Sequence, residues 1–127
     1  MEFRESQAIY LQIADLVCEK ILLKEWIPGE RIPSVRELAV QLEVNPNTVM
    51  RTYEFLQQQG IIYNQRGIGF FTADDGLKQA MQYRREQFLE KDLPLVFRSL
   101  FLLGMDPEEL KPRYEKYLSR TGVKKRD

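Results

Sequence analysis

The segment from Val44 to Arg51 carries side chains that hydrogen-bond well to nucleic-acid bases. In a helix, Asn47 and Arg51 would lie one turn apart on the same side, with Thr48 beside them. Amide and guanidinium groups form paired hydrogen bonds with base edges in the major groove of DNA, and hydroxyl groups bind base edges or phosphates. These residue types at this spacing therefore favour contact with DNA.

Two short helices around a tight turn would position these side chains. Ser34 precedes a helix that runs to about Leu42, and Glu37 follows Ser34 by three residues, which is the pattern of a capping box. Asn45 is placed to cap the next helix, and Pro46 occupies its first position, where a missing N–H costs nothing. The order of helix, turn and capped helix predicts a helix-turn-helix motif.

The second motif helix is expected to have one buried and one exposed face. Placing Val49 at the centre of the buried face also turns Tyr53, Leu56 and Thr52 inward. An ordinary solvated helix shows the same segregation, so this pattern alone leaves both interpretations open. The residues predicted to face outward are Asn47, Arg51, Glu54 and Gln58.

A hairpin is predicted directly after this helix. Two short apolar runs, at residues 60–62 and 66–71, flank a loop that contains glycine. Hairpin turns need positive φ, which glycine supplies, and a loop without a side chain also lets a backbone N–H approach a phosphate. Two helices and a glycine-tipped hairpin together are much rarer than any one part, and the combination favours DNA binding.

The overall charge of the chain does not support a nucleic-acid partner. Lysine plus arginine and aspartate plus glutamate both total 19, so the net charge is zero, and residues 1–72 contain seven basic and nine acidic residues. DNA-binding domains usually carry a basic excess. The placement of charge is more favourable, because Arg36, Arg51 and Arg66 fall on the first motif helix, the second motif helix and the hairpin.

The residue types in the sequence give little support for catalysis or metal binding. The chain has no histidine, which excludes Ser-His and Cys-His catalytic arrangements and histidine-ligated metals. Cys18 is the single cysteine and stands in an apolar stretch, so we expect a buried structural thiol. The N-terminus lacks a basic segment followed by an apolar core, and no apolar run approaches about 18 residues. We expect a cytoplasmic protein that is not an enzyme and has no cofactor.

The motif helices and the hairpin resemble the winged helix-turn-helix domain of GntR-family bacterial transcription regulators. The segment Val44–Val49, together with a short C-terminal part, resembles the YtrA subfamily, and Ile9–Ile13 is similar to the opening helix of the family. The resemblance covers residues 3–72 well. It implies a mostly α (α+β) fold, with a winged DNA-binding domain at residues 1–72 and a small helical dimerisation region at residues 73–127.

The resemblance also implies where DNA is contacted, namely at the start of the second motif helix and at the wing tip. The wider family often has base-reading arginines where this chain has Pro46 and Met50, so an operator sequence does not transfer from other subfamilies. Arg66 is added for its charge, and backbone groups at Ser34 and Gly67 are expected to meet phosphates. The predicted DNA-binding residues are Ser34, Arg36, Asn45, Asn47, Thr48, Arg51, Arg66 and Gly67.

Beyond residue 72 the sequence predicts two or three helices. Helical spacing continues from Leu77 to about residue 90. Asp92 is a plausible cap for a helix that begins with Leu93 and ends at Gly104. A short turn and a helix over about 112–119 are expected to follow.

The helix that begins at Leu93 is apolar nearly all round, and a C-terminal region of this size cannot bury that surface by itself. Packing on the winged domain would cover it, but a second copy of the chain is the better candidate. A two-fold dimer would also set two recognition helices roughly 34–36 Å apart, one turn of duplex. The predicted interface residues are Leu95, Phe97, Leu100, Phe101 and Leu103.

Three functions are compatible with these observations. The first, which we favour, is a dimeric transcription regulator on a palindromic DNA operator, either a repressor or an activator, with repression preferred. The second adds an effector enclosed by the C-terminal helices. The third is a winged-helix module for protein interaction, which the neutral charge supports. The polar residues available for an effector show no convergent set in the sequence; they are Arg84, Arg98, Tyr114 and Tyr117.

Overall fold

The computed structural model describes residues 7–122 and contains helices and one two-stranded antiparallel sheet. No helix within this range is long and apolar enough to cross a membrane. The mostly α fold class is confirmed. The elements are α1 (Ile9–Leu22), α2 (Val35–Leu42), α3 (Pro46–Gln58), β1 (Ile62–Gln65), β2 (Gly69–Thr72), α4 (Gly76–Gln87), α5 (Leu93–Leu102) and α6 (Leu110–Thr121).

The main core forms where α1, α2 and α3 pack together. From α1, Ile13, Val17 and Ile21 point inward at a spacing of four residues, and all three are buried. From α3, Val49 and Tyr53 are fully buried in the same cluster, as the apolar face of this helix predicts. These residues give α1 one buried face, and the helix begins at Ile9, in the segment similar to the opening helix of the family.

Both predicted caps of the helix-turn-helix are present. The Ser34 hydroxyl accepts a hydrogen bond from the Glu37 N–H at 3.1 Å, and the Glu37 carboxylate accepts one from the Ser34 N–H at 3.0 Å. These reciprocal bonds satisfy donors that a helix start would otherwise leave unpaired. The Asn45 side chain accepts from the Asn47 N–H at 2.8 Å, with Pro46 at the first position of α3.

The hairpin wing is also confirmed. Strand β1 pairs with β2 in antiparallel register, with Ile62 opposite Thr72 and Gln65 opposite Gly69. Gly67 in the connecting loop has φ +80°, a conformation that glycine adopts without strain. The segment before α2 joins the wing, because the Ile32 N–H donates to the Phe70 carbonyl at 2.9 Å.

The chain divides into two compact units between Glu86 and Gln87. Helix α4 is part of the first unit, since its Ala80 and Tyr83 are buried in the main core. This structural division lies later than the predicted boundary at residue 72, which marks the end of the wing. The assignment of DNA binding to residues 1–72 and dimerisation to residues 73–127 stays a prediction.

Two helix starts in the second unit differ from expectation. Asp92 is not a helix cap: its backbone is helical, and α4 continues through a π-helical turn, Phe88–Asp92, into α5. An aspartate before Leu-Pro resembles a cap in sequence, but Pro94 is accommodated in the first turn, where its N–H is not needed. For the same reason α6 begins before Pro112, at Leu110, after a 3₁₀ turn.

Candidate nucleic-acid interface

The outward face of α3 is polar and open to solvent, as the sequence predicts. Asn47, Glu54 and Gln58 are all exposed. Thr48 is half-buried, and its carbonyl oxygen lies 3.1 Å from the oxygen of the buried Thr52 hydroxyl. The face therefore has a free amide group near its N-terminal end, with the Thr48 hydroxyl close by.

Asn45 has a structural role in addition to any role at DNA. Its side-chain carbonyl oxygen accepts the cap hydrogen bond of α3, which uses one of its two lone pairs. The amide nitrogen carries two further donors. These two N–H donors of Asn45 suit a phosphate oxygen or an acceptor on a base.

At the start of α2, Arg36 is exposed and Ser34 is half-buried. The contact of Ser34 backbone groups with a phosphate stays a prediction; without DNA, the Ser34 N–H donates to the Glu37 carboxylate at 3.0 Å. The Ser34 hydroxyl accepts from the Glu37 N–H and is also hydrogen-bonded to the Glu37 carboxylate. Both the N–H and the hydroxyl of Ser34 are thus engaged at the cap of α2.

Hydrogen bonding at this cap favours the charged form of Glu37. The Ser34 N–H is the main cause that lowers the pKa of the Glu37 carboxyl, with the Ser34 hydroxyl and the Arg31 charge also contributing. A carboxylate here stands beside a helix N-terminus, where negative charge is stabilised. It would repel a phosphate that came close, so a phosphate is expected to approach α2 through the exposed Arg36 side chain.

Arg51 is exposed, but it does not project freely from α3. Its guanidinium carbon lies 3.9 Å from the centre of the Tyr10 ring, over the ring face. This is the distance of a cation–π contact. The predicted side chain is therefore on the expected face of the helix, with an aromatic support from α1 that the sequence did not indicate.

The wing tip presents Arg66 and Gly67 to solvent. The backbone around Gly67 is open, since a side chain there would meet no atom within 4 Å. The Ile68 N–H donates to the Gln65 carbonyl at 2.9 Å, which closes the loop. An open backbone next to an arginine suits close approach to a phosphate.

Tyr53 connects the three elements that carry the predicted contacts. Its hydroxyl donates to the Pro33 carbonyl, just before α2, at 2.6 Å. Its ring meets the Phe70 ring of β2 edge to face, with centroids 4.8 Å apart. Burial raises the pKa of the Tyr53 hydroxyl, which therefore remains a donor. One buried side chain thus fixes α3 relative to the start of α2 and to the wing.

Sequence reasoning missed Arg31, which lies along strand β2 of the wing. A Cβ on Gly69 would stand only 2.8 Å from Arg31 Nε, so the arginine packs directly against the wing backbone. Its guanidinium is also 4.0 Å from the Glu37 carboxylate. Glycine at 69 leaves room for this packing, and that glycine was the one signal in the sequence that could have indicated it.

The polar residues considered for an effector are divided between the two units of the chain. Arg84 is engaged within the first unit, 3.0 Å from the Asp15 carboxylate, and Tyr114 and Tyr117 are exposed. Residues 7–122 also contain no group of three or more side chains suited to hold a metal ion. The polar surface of α2, α3 and the wing is therefore the best candidate site in the described chain.

Comparisons with known proteins agree with this geometry. Residues 9–72 match the model of the family described as bacterial regulatory proteins, gntR family. The HTH-type transcriptional repressor YtrA of Bacillus subtilis (strain 168) is 33% identical over 107 residues, which is 84% of this chain and 82% of YtrA. This similarity confirms the predicted likeness to YtrA.

Comparison with solved structures agrees with this family assignment. A putative GntR-family transcriptional regulator from Bacteroides thetaiotaomicron is 48% identical, with a TM-score of 0.71 over 90% of this chain and 99% of that one. The DNA-binding domain of AraR in complex with operator ORR3 is 29% identical, with a TM-score of 0.52 over 57% of this chain and 86% of that one. The protein described here belongs to the GntR family of bacterial transcription regulators.

Proposed function

We propose that this protein binds a palindromic DNA operator as a homodimer, with α3 in the major groove and the wing on the adjacent backbone. The observation that carries the proposal is the exposed polar face of α3, which presents Asn47 and Arg51, together with an open wing tip that carries Arg66. The similar AraR domain is in complex with an operator, which supports the same mode of action here. No catalytic step or cofactor is part of the proposal.

The second unit supports the dimer. In α5 and just beyond it, Phe101 is 84% exposed and Leu103 is 71% exposed, and Leu95 and Phe97 are also exposed. Several large, exposed apolar side chains on one small helical unit are typical of an interface. Leu100 differs from the other predicted interface residues, since it is only 8% exposed and has little surface left to offer a second copy.

Repression is the proposed outcome of binding. The relative YtrA is named a transcriptional repressor, and a dimer seated on an operator can exclude other proteins from that DNA. A regulator of this kind works where the bacterial chromosome is, so we place the protein in the cytoplasm. A ligand-responsive form with an effector among the C-terminal helices is less well supported, because Tyr114 and Tyr117 are exposed and do not line an enclosed site.

Selection from a randomised DNA library tests the proposed function. The full-length protein should enrich an inverted repeat whose half-site centres lie about one turn of duplex apart. The control is the double variant Asn47→Glu with Thr48→Glu, whose added charges repel phosphates, and it should enrich nothing. Failure of the parent protein to enrich any sequence would contradict DNA recognition, and enrichment of an isolated half-site would contradict the dimeric mode.

A further inference from the structure

Arg51 is the one predicted DNA-contacting side chain that rests on an aromatic ring. Its guanidinium carbon lies 3.9 Å above the centre of the Tyr10 ring, although Tyr10 belongs to α1 and Arg51 to α3. An arginine on a helix surface ordinarily samples many rotamers, and ordering it at an interface costs conformational entropy. A ring beneath the guanidinium restricts those rotamers before any partner binds.

The position of the Tyr10 ring is itself fixed by α3. The Phe55 ring meets it edge to face, with centroids 6.3 Å apart, and Phe55 contacts Tyr83 of α4 in the same manner at 5.3 Å. The Thr52 hydroxyl lies 2.8 Å from the Tyr10 carbonyl oxygen and donates to it. Backbone and ring are therefore both held where α1 meets α3, so Tyr10 offers Arg51 a rigid surface.

We propose that Tyr10 is a positioning residue for DNA recognition: it holds the Arg51 guanidinium over its ring and so presents the N–H donors at the guanidinium edge to the DNA. A stacked guanidinium keeps these donors free, because the contact uses its face. The inference rests on the proposed function and adds to it a determinant of specificity outside the helix-turn-helix.

The test measures the affinity of Tyr10 variants for two fluorescein-labelled duplexes, the sequence most enriched from the randomised library and a scrambled version of it. Tyr10→Leu keeps apolar bulk but removes the ring, and it should bind the enriched duplex about 3- to 30-fold more weakly. Tyr10→Phe keeps the ring face and should bind like the parent. In an Arg51→Ala background, Tyr10→Leu should cause no further loss.

The outcomes separate positioning from simple structural support. The inference would be overturned if Tyr10→Leu bound the enriched duplex like the parent, or if Tyr10→Phe bound it more weakly. It would also be overturned if Tyr10→Leu still lowered the affinity in the Arg51→Ala background. If the parent itself shows no preference for the enriched duplex, the proposed function fails as well, and that result is recognisable without any Tyr10 variant.

A measurement without DNA checks the contact directly. In the free protein, the NMR signals of the Arg51 side chain should be shifted upfield by the ring current of Tyr10. The shift should persist in Tyr10→Phe and disappear in Tyr10→Leu. Arg51 signals at ordinary positions in the parent protein would show that the side chain is not held on the ring, and the inference would be wrong.

Discussion

Asn47 combines an exposed side chain with a backbone N–H that is fixed by the Asn45 cap. Its amide group can therefore form paired hydrogen bonds with adenine without losing contacts in the folded protein. We predict that Asn47→Ala lowers the preference for the enriched duplex over the scrambled duplex by about 1–3 kcal/mol. Anisotropy titrations measure this, with Gln58→Ala, also exposed but at the far end of α3, as the control that keeps parent-like binding.

Arg36 should act differently, because its exposed position on α2 suits a phosphate more than a base. Arg36→Ala is expected to weaken binding to the enriched and the scrambled duplex by similar factors. The same titrations provide the measurement. A selective loss of the enriched duplex would instead assign Arg36 to base recognition.

The Cys18 thiol is predicted to be unreactive toward thiol reagents in the folded protein. The side chain is fully buried, and burial together with the nearby Asp15 carboxylate raises the pKa of the thiol to about 12. The reactive thiolate is therefore almost absent at pH 8. We expect negligible reaction with a thiol reagent such as DTNB at that pH, and complete reaction in denaturant. Rapid labelling of the native protein would contradict this environment.

The direction of the α3 side chains could be predicted, because helical periodicity fixes it once Val49 is placed in the core. The contacts that these side chains make could not. Arg51 rests on Tyr10, and Arg31 packs on Gly69, through packing between residues far apart along the chain. Local sequence patterns carry no information about such pairs, whose geometry depends on tertiary structure.

At the scale of elements, capping residues allowed α2, α3 and the wing to be predicted closely. Their signals are local hydrogen bonds and turn conformations, such as the Ser34–Glu37 box, which the structure contains. The junction of α4 and α5 was harder to predict. Asp92 before Leu-Pro has the composition of a cap, but the chain continues through a π turn, which has no comparable signature in sequence.

Gly76 joins α4 to the wing, and its lack of a side chain is required there. A Cβ would stand 2.7 Å from the Ile61 carbonyl oxygen and 2.8 Å from a Thr72 methyl group. Gly76→Ala should therefore destabilise the protein by about 1–3 kcal/mol, despite the higher helix propensity of alanine. Thermal unfolding measures this, with the exposed Lys78→Ala on the same helix as control. Equal melting temperatures for both variants would show that no such crowding exists.

In the whole molecule, packing within a single chain does not cover the apolar side chains around α5. Phe101 is 84% exposed, so Phe101→Glu should not disturb the fold of one subunit but should place a charge in the proposed interface. We predict a monomer in sedimentation experiments, with half-site affinity retained and affinity for the complete inverted repeat reduced.

A matched variant separates this effect from a general response to added charge. Val40 is 77% exposed on α2 of the first unit, away from α5 in the sequence. Val40→Glu should remain dimeric. A dimer that persists in Phe101→Glu would place the interface elsewhere on the chain.

The net charge of zero predicts that the affinity of a dimer for DNA depends only moderately on salt concentration. If Arg36, Arg51 and Arg66 of each subunit meet phosphates, a dimer would neutralise at most about six of them. Each neutralised phosphate contributes about −0.9 to the slope of log affinity against log salt. A slope no steeper than about −5 follows, and base contacts from Asn47 and Thr48 must then supply a large share of the specificity.

The most direct test of DNA recognition by this surface is a titration of the enriched inverted repeat and the scrambled duplex across a range of potassium chloride concentrations. We predict a moderate negative slope for both duplexes and a clear preference for the inverted repeat that persists as salt is raised, because base contacts release few counterions. Binding that shows neither a response to salt nor a preference for the inverted repeat would contradict the DNA-binding function and would favour a protein-interaction module.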